Sequence, residues 1–258
     1  MRRAPTPVSP KAAARPRIGH DGRKAWKLRA LVLAAVGVII LAAAAAAWPL
    51  ARLVLEPNLY AGVRSIEATA DYRDPALMRQ AWASPVARRY AARPYEFQAN
   101  QSFCGPTTAA DVLHSMGDRR SQGQMLAGGR YHTIFGYLPG GLTLDQEADL
   151  LRARSGQSVA VLRGLSLAQF RAQMRAVNDP GRRYVANFHR GPLFGRGHGH
   201  FSPLLAYLPD RDLVLVGDVN ARFGPFLVPT ERLWRAVDTI DPATGLKRGV
   251  AVLSVGGR

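Results

Sequence analysis

The chain is poor in cysteine: Cys104 is the only one in 258 residues. A single thiol excludes an intramolecular disulfide framework, a cysteine-rich zinc module and an iron–sulfur centre. It also leaves the chain free to work in an oxidising compartment, because no second thiol can pair with it. Acidic residues are scarce too, 18 against 35 Lys and Arg, giving a formal net charge of +17. Such an excess suggests either nucleic acid or an anionic membrane surface. Aromatics make up only 8% of the chain and do not interleave with a basic stripe, as a nucleic-acid groove requires. No nucleic-acid partner is therefore expected.

The charge distribution favours a membrane instead. Residues 1–29 carry nine Lys and Arg against Asp21 alone, whereas the rest of the chain mixes 26 basic with 17 acidic residues. The leader is rich in Pro, Ala and Arg without apolar periodicity, which reads as a disordered basic tail. Ala30 to Trp48 follows with no charge in 19 residues, about 28 Å of helix and close to the thickness of a bilayer core. Trp48 suits the interface and Pro49 a helix end, so residues 30–49 are predicted to be a transmembrane anchor. A cleaved signal peptide is the competing reading. The long charged leader and the length of the apolar run argue against it. The positive-inside rule places the tail in the cytoplasm and everything after Trp48 outside it, in the periplasm for a Gram-negative inner membrane.

Residues 50–85 read as a stalk with one or two short helices, and residues 86–258 as the catalytic domain. Within that domain, helices are predicted over Thr107–Met116, from an opening at Leu142-Thr143-Leu144-Asp145 to Arg154, and over Leu167–Val177, with Gly117 and Gly156 as stops. The pattern then changes to strand period: Tyr184–Phe188, His200–Leu208 and Asp212–Asp218, with a closing strand over Gly249–Val255. Pro209-Asp210-Arg211 is a turn signal that makes an antiparallel hairpin of the second and third of these strands. Helices first and antiparallel strands after give an α+β fold, with the helical part packed on an antiparallel sheet.

Cys104 sits where an irregular segment becomes a helix, since Gly105-Pro106 suits a first turn. A thiol there meets free N–H groups and the positive end of the helix dipole, which favour thiolate. The alternative is a small buried hydrophobe. Nucleophilic work needs a base and a group to orient it. The hairpin supplies both: His200 opens one strand and Asp218 ends its partner, so pairing brings them side by side. His189 and His198 are the rivals for the base. His198-Gly199-His200 lacks the further ligands a metal site needs, and no metal site is expected. The backbone N–H of Cys104 and an amide from Gln98 or Gln101 are candidate oxyanion donors.

These residues carry a resemblance. Gln98-Ala-Asn-Gln-Ser-Phe-Cys104-Gly105 resembles the Q-x-N-Q-A-Y-C-G motif of the phytochelatin synthase family. Gly199-His200-Phe201-Ser202-Pro203 resembles that family's G-H-[FI]-S-P, and Asp218 follows His200 by 18 positions as it does there. The resemblance covers roughly residues 86–242 and implies a papain-like cysteine peptidase fold. It implies Cys104 as nucleophile, His200 as general base and acid, Asp218 as its orienter and Gln98 as oxyanion donor. Arg222, Asn187 and Gly199 are expected to contact substrate, Arg222 as a carboxylate clamp. The family's D-V-x-R-[FY] is one residue longer here, as Asp218-Val219-Asn220-Ala221-Arg222-Phe223.

The implied activity is cleavage of glycine from glutathione, or from a related γ-glutamyl thiol peptide, through a thioester on Cys104. Transfer to a second glutathione would make phytochelatin, the metal-detoxifying product. The chain shows no cysteine-rich C-terminal part, which favours simple hydrolysis to γ-glutamylcysteine. No cofactor is expected, and a heavy-metal ion would enter only as a substrate thiolate complex. The reading leaves room for a homodimer. Two alternatives remain: a leader-peptide-processing cysteine peptidase, and a non-catalytic membrane-anchored binding protein.

Overall fold

The computed structural model describes residues 20–55, 59–92 and 95–256, without side chains over 20–25 and 48–55. The chain divides into two units, residues 1–57 and 58–258. Among its described residues the first forms the helix α1 (His20–Leu55). Its stretch Trp26–Ala47 is long and apolar enough to cross a membrane. Two expectations shift here. Residues 20–29, assigned to the disordered tail, are helical, in keeping with Arg, Lys, Ala and Leu as good helix formers. Residues 1–19 of that tail lie outside the described residues. Pro49 lies inside α1 instead of ending it; a long helix tolerates the loss of one backbone donor.

The second unit follows α1 with a 3₁₀ turn (Ile66–Ala68) and two short helices, α2 (Pro75–Trp82) and α3 (Pro85–Ala91). Asp74 and Ser84 cap α2 and α3, each with proline in the first turn. Then come α4 (Cys104–His114), α5 (Gln122–Leu126) and α6 (Leu144–Ser155). Beyond them are β1 (Val159–Arg163), α7 (Leu167–Arg175), β2 (Arg182–His189), α8 (Gly191–Phe194), β3 (Gly199–Leu208) and β4 (Leu213–Gly217). The unit closes with β5 (Pro225–Pro229), α9 (Thr230–Val237) and β6 (Gly249–Ser254). The fold is α+β: the six strands form one antiparallel sheet in the order β1-β6-β2-β3-β4-β5.

Both faces of this sheet are buried. Val185, Phe201, Leu205, Leu215 and Ala251 face a cluster with α3, α4 and α6. Their strand neighbours Tyr184, Ala186, Leu204, Val216 and Val252 face a second cluster with α7 and α9. Alternate side chains point to opposite faces of a strand, so β4 is buried at every position. That explains why Asp212–Asp218 carries a continuous apolar run where a half-exposed antiparallel strand would alternate.

The expectation of a stalk over 50–85 is corrected. Ile66 and Tyr72 are buried in the second cluster, and Leu227 N–H donates to the Tyr72 carbonyl at 2.9 Å. The folded unit therefore begins well before residue 86. The 3₁₀ turn and α2 are short amphipathic pieces whose few apolar residues gave no period to read.

Candidate active site

The nucleophile candidate opens α4. Phe103 occupies the N-cap position without a side-chain cap, so the N–H groups of the first turn keep no local side-chain acceptor. The preceding loop is held by its own polar residues. The backbone N–H and the hydroxyl of Ser102 donate to Asn100 Oδ1 at 3.0 and 2.7 Å, and Asn100 Nδ2 donates to the Gly136 carbonyl at 3.0 Å. Gln98 is tied across the site: its N–H donates to the Val219 carbonyl at 2.8 Å, next to Asp218.

His200 stands second in β3, and Asp218 directly follows β4. Their strands pair antiparallel, and His200 Nε2 lies 3.0 Å from Asp218 Oδ1. The backbone N–H of Phe201, next to His200, faces the Cys104 sulfur, so the start of β3 lies against the thiol. Asp218 is fully buried. It also receives Arg190, whose Nη2 is 2.8 Å from Oδ1 and 2.7 Å from Oδ2, and the Asn220 N–H at 2.8 Å. Arg190 in turn lies over the Phe223 ring, 4.0 Å from its centroid.

The electrostatics differ from the expectation of a thiolate. Burial pushes the Cys104 thiol up to about 11; the N–H groups of Phe201 and Gly105 pull it down, and Glu147 pushes it further up. Burial thus favours the protonated thiol. Desolvation of a buried charge outweighs the helix terminus. Burial also pushes His200 below the usual imidazole value, against the pull of Asp218 and with a contribution from Arg190. For Asp218 burial acts upward, but His200 and Arg190 together hold it down at about 2. The resting pair is thiol and neutral imidazole, with the charge concentrated in the Arg190–Asp218 ion pair.

A cavity of about 320 Å³ opens beside His200. His200, Gly199, Gln98, Gln101 and Arg222 line it, together with Arg190, Arg196, His198 and Glu67. Gln98 Nε2 donates to the Asn100 carbonyl at 3.0 Å, and its second hydrogen remains for an oxyanion. Gly199 leaves room for Arg248, whose Nη1 would lie 2.5 Å from a Cβ there. Asn187 departs from expectation. It is 1% exposed, donates to the His200 carbonyl at 3.4 Å and accepts from Arg248 Nη1 at 3.2 Å. Its side chain ties the His200 strand to Arg248 and does not line the cavity.

The rival histidines are placed elsewhere. His189 Nδ1 accepts the Gly191 N–H at 3.0 Å, and burial pushes its pKa down to about 4. His198 is exposed on the cavity rim. Among the described residues no group of three or more His, Cys, Asp or Glu is placed to hold a metal.

Sequence reading missed Arg190, Arg196 and Glu67 in the cavity wall, and Glu147 beneath it. Glu147, on α6, is fully buried with neither carboxyl oxygen partnered among the described residues. It presses on the turn after the nucleophile: a Cβ at Gly105 would sit 2.8 Å from its Oε2. The signal for Arg190 was available, since β2–β3 pairing sets His189 opposite Gly199 and so brings the next residue to the site.

A thiol at a helix start, an imidazole and a buried carboxylate form the arrangement that thiol peptidases and acyltransferases use. Comparison with known proteins gives the family. The phytochelatin synthase family model matches residues 66–250, and the chain belongs to this family. A glutathione gamma-glutamylcysteinyltransferase 3 of Lotus japonicus is 36% identical over 118 residues, 44% of this chain and 24% of that protein. A glutathione gamma-glutamylcysteinyltransferase 1 of Arabidopsis thaliana is 41% identical over 71 residues, 27% of this chain and 15% of that protein. The chain thus spans a quarter or less of the length of these curated relatives. Among solved structures, the peptidase domain of Streptococcus ComA, a bi-functional ABC transporter, aligns over 63% of this chain and 100% of its own, with 14% identity and a TM-score of 0.44.

Proposed function

We propose that the chain is a papain-like thiol peptidase/acyltransferase that cleaves glycine from glutathione or a related γ-glutamyl thiol peptide. The observation that carries this reading is the His200–Asp218 contact at 3.0 Å, set against Cys104 in a chain of the phytochelatin synthase family.

In this mechanism His200 spends Nε2 on Asp218 and keeps Nδ1 for proton exchange. Nδ1 takes the Cys104 proton as sulfur attacks the carbonyl of the Cys–Gly bond. The tetrahedral oxyanion is met by the Cys104 N–H and Gln98 Nε2. Its collapse breaks the C–N bond, His200 returns the proton to the departing glycine amine, and a γ-glutamylcysteinyl thioester remains. Water then attacks with His200 as base, releasing γ-glutamylcysteine and the thiol. With the thiol at about 11, forming thiolate at neutral pH before attack costs on the order of 5 kcal/mol. The proton therefore moves in concert with attack.

A cavity of about 320 Å³ is at the small end of ligand pockets and suits one tripeptide, which supports water as acyl acceptor over a second thiol peptide. The segment Trp26–Ala47 anchors the chain, with its basic leader on the cytoplasmic side and the catalytic unit outside.

The test is a mass spectrum of the full-length protein after brief exposure to glutathione, with glycine release assayed in parallel. A γ-glutamylcysteinyl adduct on Cys104, absent in Cys104→Ala, is the expected result. No adduct and no glycine would overturn the assignment.

A further inference from the structure

The cavity wall carries three arginines and a single acid. Arg190, Arg196 and Arg222 line it, and so does Glu67, an exposed residue on its rim. Asp218 and Arg190 do not count, since they are buried and paired with each other, which leaves Arg196 and Arg222 against Glu67. A purely cationic cavity would take any acidic peptide. One carboxylate in its wall repels a substrate carboxylate and attracts an ammonium.

Glu67 is not there to neutralise the arginines. Among the described residues no cationic side chain makes an ion pair with it, and its one side-chain bond comes from the Ser65 hydroxyl, to Oε2 at 3.1 Å. Oε1 is left for a ligand. Its backbone is held firmly. Ser65 Oγ accepts the Glu67 N–H at 3.2 Å, and Ile66 is buried in the core. Arg232 Nη2 donates to the Arg64 carbonyl at 2.9 Å and to the Pro192 carbonyl at 2.8 Å. That guanidinium ties the Glu67 segment to α8, and the loop bearing Arg196 and His198 follows α8 directly. Gly195, with φ of 75°, leaves room for the Val63 carbonyl, which would lie 2.6 Å from a Cβ there. A carboxylate on such a preorganised strap loses little entropy when it binds.

We propose that Glu67 is the specificity residue that reads the free α-ammonium of the substrate. The ligand class is then a zwitterionic γ-glutamyl head: ammonium at Glu67, α-carboxylate at Arg196 and Arg222. This inference rests on the proposed function only for the identity of the peptide; the recognition itself is a binding event.

Glutathione and its des-amino analogue, in which glutaryl replaces γ-glutamyl, separate the two. Binding is measured by calorimetry on the full-length Cys104→Ser protein, with and without Glu67→Gln. Glutathione is expected to bind about tenfold tighter than the analogue, a difference of about 1.4 kcal/mol, and Glu67→Gln is expected to erase that ratio without weakening the analogue. An unchanged ratio, or equal loss for both ligands, overturns the proposal. Glycine release by the wild-type protein is recorded alongside. If it is absent, the cleavage reading falls while the binding ratio still decides the role of Glu67.

Discussion

Arg190 and His200 converge on one carboxylate oxygen, Asp218 Oδ1, the guanidinium at 2.8 Å and the imidazole at 3.0 Å. The negative charge that would favour an imidazolium is therefore shared with a permanent cation. Together with burial, the dominant influence, this holds His200 below its ordinary pKa and keeps the imidazole free to accept the Cys104 proton at neutral pH.

Arg190→Gln removes that competitor. His200 then titrates higher, and the acid limb of the pH–rate profile for glycine release moves upward. Stability falls by about 3–5 kcal/mol, because Asp218 is left buried with one partner fewer. Arg190→Lys keeps the charge but not the fork over Phe223, and its acid limb stays near the wild-type position. A folded Arg190→Gln protein with an unshifted acid limb would refute this account.

Much of the site was legible in the sequence because its parts obey local rules. Gly105-Pro106 marked the start of α4, and Pro209-Asp210-Arg211 marked the hairpin that sets His200 beside Asp218. Strand β5 was not legible, since Pro225 and Pro229 bracket it and proline argues against strand. The strap carrying Glu67 was hidden for another reason: among the described residues it anchors in the core through Ile66 and Tyr72, too few for a period. The protonation of Cys104 was misjudged because burial is a tertiary property. A helix start predicts thiolate, and the covering of that start by β3 and α6 reverses it. Slow alkylation of Cys104 at neutral pH thus follows from burial alone and does not argue for a non-catalytic protein; the acyl adduct decides that question.

Asn187 behaves as a brace. Its truncation to Ala leaves Arg248 Nη1 without that acceptor and releases the His200 carbonyl. The loss of a buried hydrogen-bonding residue costs about 1–3 kcal/mol. Steady-state kinetics with glutathione should show a lower kcat with an unchanged KM, together with a lower melting temperature. A raised KM with unchanged kcat would return Asn187 to the substrate contacts.

Gly105→Ala places a methyl 2.8 Å from Glu147 Oε2 and 3.0 Å from Leu142 Cδ1. Overpacking of this kind costs about 1–3 kcal/mol, and here the strain falls on the turn that aims Cys104. A drop in denaturation midpoint accompanied by loss of acyl-adduct formation is the expected outcome. Gly62→Ala, where nothing lies within 4 Å, serves as the neutral control. Equal behaviour of the two variants would show that the turn yields freely.

Glu147 gives the chain a pH-dependent stability of defined sign. Burial holds its carboxyl well above the ordinary value of 4.5, so the folded state keeps a proton that the unfolded state releases above about 4.5. The contribution to stability is complete below that pH and declines as pH rises toward the folded pKa, by up to about 1.4 kcal/mol per pH unit. Asp111, raised to about 8 by burial, adds a slope of the same sign from about 3.8 upward. Glu147→Gln cannot ionise and removes its share. Denaturant unfolding at pH 5, 6, 7 and 8 should therefore show the variant gaining on the wild type at each step, whatever their difference at pH 5. Parallel curves would mean that Glu147 ionises in the folded protein with a buried partner, and the carboxylate beside Gly105 would then add its charge to every step at Cys104.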